Sequence, residues 1–217
     1  MEAEIRRRLN EGRGRGRIRQ IRFVLKGELR PGVSAKDVML YILSQPFFRT
    51  SAGIGKVLEF GGEGVQRLPF DEQATLTNMA VEAGGFTGII EPSDVVVDYL
   101  HEMRGIEKSE IEARIVLGDP DAEYLEVFEY DLSEIPMMVA TPGDPRNGVP
   151  LPELEEEVKI DIAYGGSCTG GKKADMDMYA QVLGTALAHG RTVAPTVDLY
   201  IQFGSQRIRD YAEKMGY

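Results

Sequence analysis

Short apolar runs recur along this chain, several of them bounded by glycine, and stretches at helical spacing lie between them. That alternation limits the fold more than any other feature. Residues 21–27, 53–62, 86–90, 124–132, 160–164 and 197–203 read as strands, the fourth alternating apolar and acidic side chains as a half-buried strand does. Between them, Ser34 is placed to cap a helix through Leu43, with Val38, Tyr41 and Ile42 inward. A helix-like segment follows around 64–68. Residues 71–85 have helical spacing through Leu76, Met79 and Ala83, with Gly84 as the stop. Ser93 caps a helix with Val96, Val97 and Leu100 inward and His101 at its end, a surface or capping position. The charged run 107–114 reads as an exposed linker or helix. Helical spacing resumes from Lys172 to His189, and Ser205 is placed to cap a last helix over 206–215. Strands alternating with helices in this way predict an α/β protein with helix-covered sheets.

Two stretches break the pattern. Residues 1–20 interleave arginines (Arg6 to Arg8, then Arg13, Arg15, Arg17 and Arg19) with glycine. Glycine at alternate positions is costly to order, so the expectation is a flexible basic arm, read first as a ragged start left by an incomplete gene and second as a contact for RNA or a partner's acidic face. Residues 136–152 hold five of the eleven prolines, which exclude helix and inner strand. The expected layout is therefore a first lobe over 21–135, an extended connector over 136–152 and a second lobe over 153–217.

The 217 residues suffice for one good core or two modest ones. A net charge of −10 argues against a chain that relies as a whole on nucleic-acid phosphates. A single cysteine, Cys168, rules out an intrachain disulfide framework and suits a reducing compartment. No apolar run reaches the length of a membrane span, and no apolar leader follows the N-terminus, so a cytoplasmic protein is expected.

Cys168 falls in a glycine-rich turn between the strand at 160–164 and the helix from Lys172. Near a helix N-terminus, free N–H groups and the dipole favour thiolate, which suits a metal ligand or a nucleophile. A small hydrophobe in a tight turn is the plainer reading. Residues 166–172 also satisfy G-x-x-x-x-G-K, the spacing of a phosphate-binding loop. Lys173 stands where such a loop needs a hydroxyl for Mg²⁺, and an ammonium cannot take that role. Earlier in the chain, Asn78 and Glu82 lie four apart in a helical pattern, which would place an amide and a carboxylate one turn apart on one face. Such a pair can grip a polar ligand or move a proton, or it can mark a solvated face.

Three ordered segments resemble the aconitase and isopropylmalate dehydratase family. Gly166-Ser-Cys-Thr-Gly170 is similar to its cluster-binding G-S-C-T-N motif, and Thr77 to Asp94 resembles N-M-x-x-E-x-G-A-x-x-G. Pro31 to Asp37 is similar to the segment before it in the dehydratase large subunit. The resemblance covers about residues 20–217 and implies a three-layer α/β/α iron–sulfur domain in two lobes, incomplete in this chain. It implies a hydro-lyase that dehydrates and rehydrates a hydroxy-di- or tricarboxylate on a [4Fe–4S] cluster. Cys168 would be one of three cysteine ligands, with Ser167 and Thr169 beside it, and Asn78 and Glu82 would face the bound hydroxyl or water. Gly170 departs from the motif's Asn. The family's G-T-D-S-H and C-G-x-C motifs are absent from this sequence. The expectation is a fragment or split large subunit, inactive in isolation, completed by a partner chain or small subunit. The alternatives are a non-catalytic binding or assembly module and a phosphate-loop nucleotide binder.

Overall fold

The structure is a computed structural model and describes residues 19–155 and 157–217. The expected basic arm lies, up to residue 18, outside the described residues. The chain divides into two compact units between Val149 and Pro150.

The first unit contains β1 (Gln20–Lys26), α1 (Ala35–Ser44), α2 (Pro46–Arg49), β2 (Val57–Gly61), α3 (Glu63–Arg67) and α4 (Phe70–Asn78). It continues with β3 (Thr87–Ile90), α5 (Asp94–Arg104), α6 (Lys108–Glu112), β4 (Glu126–Asp131), β5 (Met138–Ala140) and all but the last residue of β6 (Gly148–Pro150). Strands β1 to β4 form one parallel sheet in the order β3-β2-β1-β4. Ile21 pairs with Leu58 on one side and Glu126 on the other.

Alternate residues of β1 and β2 explain the core. Ile21, Phe23, Leu25, Leu58 and Phe60 are fully buried in one cluster with Val38, Met39, Ile42 and Leu43 of α1 and Leu76 of α4. Phe23 stacks on Phe60 at 4.9 Å and on Phe128 at 5.7 Å between ring centroids, geometry that adds to burial alone. The intervening row runs Ile89, Glu59, Arg22, Val127 in register. There the Arg22 guanidinium pairs with Glu59 and, at 3.2 Å, with Glu91, while Tyr124 donates its hydroxyl to Glu59 at 3.0 Å.

Local signals account for much of this. Ser93 caps α5 by accepting the Val96 N–H, and Gly105 in the left-handed region ends that helix. The charged run 107–114 contains α6, anchored by buried Ile111. The His101 Nδ1–H donates to the Ile106 carbonyl at 2.7 Å, which makes it a helix-end residue.

The proline-rich stretch differs from the expected connector. Strands β5 and β6 pair with each other, and the stretch up to Val149 belongs to the first unit. The Met138 N–H donates to Asp37 of the segment that starts α1, at 2.8 Å, and the Arg146 guanidinium reaches Ser51 at 2.9 Å. Pro142 and Pro145 fall in the loop between the two strands and Pro150 closes β6, so the prolines leave most of a short ladder intact.

The second unit contains β7 (Ile162–Gly165), the single helical turn α7 (Ser167–Gly170), α8 (Lys173–Ala188), β8 (Asp198–Ile201) and α9 (Gln206–Met215). Strands β7 and β8 are parallel, with Ile162 opposite Asp198 and Gly165 opposite Ile201, and α8 is their crossover. Ser205 caps α9 by accepting the Ile208 N–H. Two phenols, Tyr211 and Tyr217, donate to one Asp177 oxygen at 2.7 and 2.8 Å, which joins α9 to α8. Parallel strands with helical crossovers realise the α/β class. No helix among the described residues is long and apolar enough to cross a membrane.

Candidate functional site

In the second unit the chain leaves β7 through Gly166, whose φ of +140° suits only glycine. A Cβ there would also stand 2.4 Å from the Gln202 carbonyl oxygen, so the strand exit and the residue after β8 pack backbone against backbone. Ser167 follows at φ +64°, an uncommon conformation for a residue with a side chain. One helical turn, α7, then carries Ser167, Cys168 and Thr169 together. Cys168 is exposed, and its sulfur lies 3.9 Å from Thr169 Oγ1. Helix α8 begins only at Lys173, with Lys172 as its N-cap, so the thiol precedes the long helix by one separate turn.

Three residues outside the expected site set, Lys172, Asp175 and Tyr179, surround this turn. Lys172 Nζ donates to the Thr169 carbonyl and pairs with Asp175 at 2.9 Å, and the Tyr179 hydroxyl donates to the Gly170 carbonyl at 2.9 Å. Asp175 also accepts the Lys172 backbone N–H at 3.0 Å, an acidic residue at the third helical position serving the helix start. The acid three residues after Lys172 was the signal available in the sequence. Lys172 is thus committed within the turn, which leaves the G-x-x-x-x-G-K spacing without a lysine extended toward phosphate.

In the first unit, Asn78 and Glu82 are not on one continuous helix. Helix α4 ends at Asn78, and 79–84 are successive turns closed by bonds such as Ala80 N–H to Thr77 O and Gly84 N–H to Val81 O. The reason lies in the residues that lead into β2. Gly84 O accepts the Gly55 N–H at 2.9 Å and the Phe86 N–H donates to Lys56 O, which draws the chain off the helix axis and into β3. Asn78 is exposed, while Glu82 is partly buried. One Glu82 oxygen, Oε2, is shut off from solvent and has no hydrogen-bond partner among the described residues. A buried oxygen left without a donor is costly, and natural proteins keep few of them. It is an acceptor ready for a proton-bearing group.

Among the described residues no group of three or more His, Cys, Asp or Glu side chains is placed to hold a metal ion. The donor set therefore fits a single ligand position: one exposed thiolate-forming side chain on a turn with no bulky neighbour in sequence.

The sequence profile of the aconitase family (aconitate hydratase) matches residues 16–217. The chain is similar to the 3-isopropylmalate dehydratase large subunit 1 of Pyrococcus furiosus, 41% identical over 182 residues, covering 83% of this chain and 40% of that protein. It is also similar to the large subunits from Aquifex aeolicus and Desulfitobacterium hafniense. The first is 35% identical over 196 residues, covering 90% of this chain and 44% of that protein. The second is 37% identical over 187 residues, covering 84% and 42%. The chain thus spans about two fifths of the length of the curated relatives it matches. With nearly the whole sequence inside the matched span, this chain belongs to the aconitase family.

Proposed function

We propose that this chain is part of the large subunit of a [4Fe–4S] hydro-lyase of the isopropylmalate dehydratase type, acting on a hydroxy-di- or tricarboxylate. The observation that carries the reading is the exposed Cys168 thiol on a strained glycine-led turn, within a G-S-C-T segment of an aconitase-family chain. Cys168 would hold the cluster, with Ser167 and Thr169 forming the turn that offers it. A bound cluster supplies a Lewis acid for the substrate's hydroxyl and carboxylate.

The remaining chemistry is asked of this chain's own side chains. Glu82, with Oε2 free of any donor, would accept a proton-bearing hydroxyl or water at that oxygen. Asn78, exposed at the end of α4, would orient a polar substrate group through its amide. One cysteine cannot complete a three-thiolate site. The other ligands, and a small subunit to complete the substrate site, would come from further polypeptide, so the chain by itself is expected to be inactive.

Anaerobic reconstitution tests this, with the chain alone and with candidate partner chains that carry the C-G-x-C and G-T-D-S-H motifs. Iron–sulfur absorption and hydratase activity are followed together. The expected result is a cluster and activity only in the completed assembly, both lost in Cys168→Ser. Absence of a cluster from every combination would sink the reading and favour a binding or assembly module that keeps the fold.

A further inference from the structure

The turn that presents Cys168 is fastened from the start of α8. The Lys172 ammonium donates to the Thr169 carbonyl and pairs with Asp175 at 2.9 Å. Asp175 is 1% exposed. A carboxylate this deep is tolerated only when paired and hydrogen-bonded, and here one oxygen takes both the Lys172 ammonium and the Lys172 backbone N–H. One turn further along α8, the Tyr179 hydroxyl donates to the Gly170 carbonyl at 2.9 Å. Both acceptors belong to α7, a helix of one turn whose carbonyls have no later turn to bond to. The same turn holds Ser167 at φ +64°, and such backbone persists where its surroundings over-determine it.

We infer that Lys172, Asp175 and Tyr179 are positioning residues for Cys168: they clamp α7 onto the start of α8 and so set the direction in which the thiol is offered. The inference rests on the reading of Cys168 as a cluster ligand and adds the parts that hold that ligand in place. They act through the carbonyls of Thr169 and Gly170, the two residues that follow Cys168 in the turn. Loss of the clamp releases a backbone that is already strained, so the turn should open more often while β7, β8 and the helices keep their structure.

The test uses the full chain without a cluster, so its outcome is independent of cluster assembly. Lys172→Met, Lys172→Arg and Tyr179→Phe are compared with the parent chain by amide hydrogen exchange and by the rate at which iodoacetamide alkylates Cys168, the only thiol present. Lys172→Met leaves Asp175 buried without its cation and can compromise folding. Tyr179→Phe removes one hydroxyl and keeps the ring, so it stands as the second variant. The expected result in Tyr179→Phe is Gly170 amide exchange faster by on the order of tenfold, with exchange in β8 unchanged and an altered alkylation rate. Lys172→Met should do the same wherever it folds, and Lys172→Arg should restore the parent behaviour, because a guanidinium can reach the same two acceptors. Unchanged exchange at Gly170 together with unchanged alkylation in Tyr179→Phe would overturn the inference. Failure of cluster assembly in every combination with partner chains counts against the ligand reading alone.

Discussion

Gly88 of β3 lies directly against Thr77 of α4: a Cβ on Gly88 would stand 2.7 Å from Thr77 Cα and 2.8 Å from its carbonyl oxygen. The strand and the last turn of the helix touch backbone to backbone, one residue before Asn78. Replacing glycine by alanine at an ordinary φ stabilises a protein by about 0.4–1 kcal/mol through the unfolded chain. Here the sign should reverse. Gly88→Ala is expected to destabilise by about 1–3 kcal/mol, because overpacking forces the helix end away from the strand. Urea unfolding measures the sign directly, and a stabilised variant would refute the close contact.

Gln73 is 1% exposed and ties three elements together. Its amide donates to the Val65 and Leu68 carbonyls at 3.1 and 2.9 Å and exchanges a hydrogen bond with Ser93, the cap of α5. Gln73→Leu keeps the volume close but leaves buried carbonyls without donors. A loss of about 2 kcal/mol or more is expected, since each unsatisfied buried group costs roughly 1–3 kcal/mol. Denaturant midpoints for Gln73→Leu and Gln73→Glu would separate lost hydrogen bonds from altered packing.

Acid should loosen the β5–β6 stretch before it reaches the core. The Arg146 side chain, then its backbone N–H, holds the Asp144 carboxyl down at about 2. A folded value below the unfolded one, roughly 3.9, means the interaction stabilises fully above that value. It is lost as pH falls from about 4 through about 2. Carboxyl-detected NMR should place the Asp144 midpoint near 2 in the parent chain and higher in Arg146→Gln.

Alkali acts through a different group with the opposite sign. Burial, then proximity to Tyr41, pushes the Tyr130 phenol up to about 12. Its folded value exceeds the unfolded one of roughly 10, so the stabilising contribution is complete below pH 10. It fades as pH rises from about 10 through about 12. Phenolate absorbance of the parent chain compared with Tyr130→Phe should show that step; a Tyr130 midpoint near 10 would contradict its burial in the sheet.

Local signals carried the parts of this protein that were legible in advance. Ser93 and Ser205 are N-caps where a short polar side chain precedes an apolar periodic run. The alternation through Ile21, Phe23 and Leu25 buries one face of β1. The turn with Ser167, Cys168 and Thr169 lies between a strand and a helix, as its glycines suggested. The four residues of α2 passed unread, since Pro46-Phe-Phe-Arg49 is too short to show a period. Helical spacing through Met79 and Ala83 pointed to a longer helix than forms, because apolar residues at that spacing are also buried by a series of turns.

By itself, the sequence determined the strand–helix alternation, the helix starts and the glycine turn around Cys168, because each depends on residues close along the chain. Only the tertiary structure decided that α4 stops at Asn78, where hydrogen bonds from Gly55 and to Lys56 claim the backbone. It also decided that the proline-rich stretch joins the first unit through Asp37 and Ser51, and that one oxygen of Glu82 is enclosed without a donor. Those outcomes hang on groups tens of residues apart, and whether a polar atom is satisfied is settled only when such groups meet.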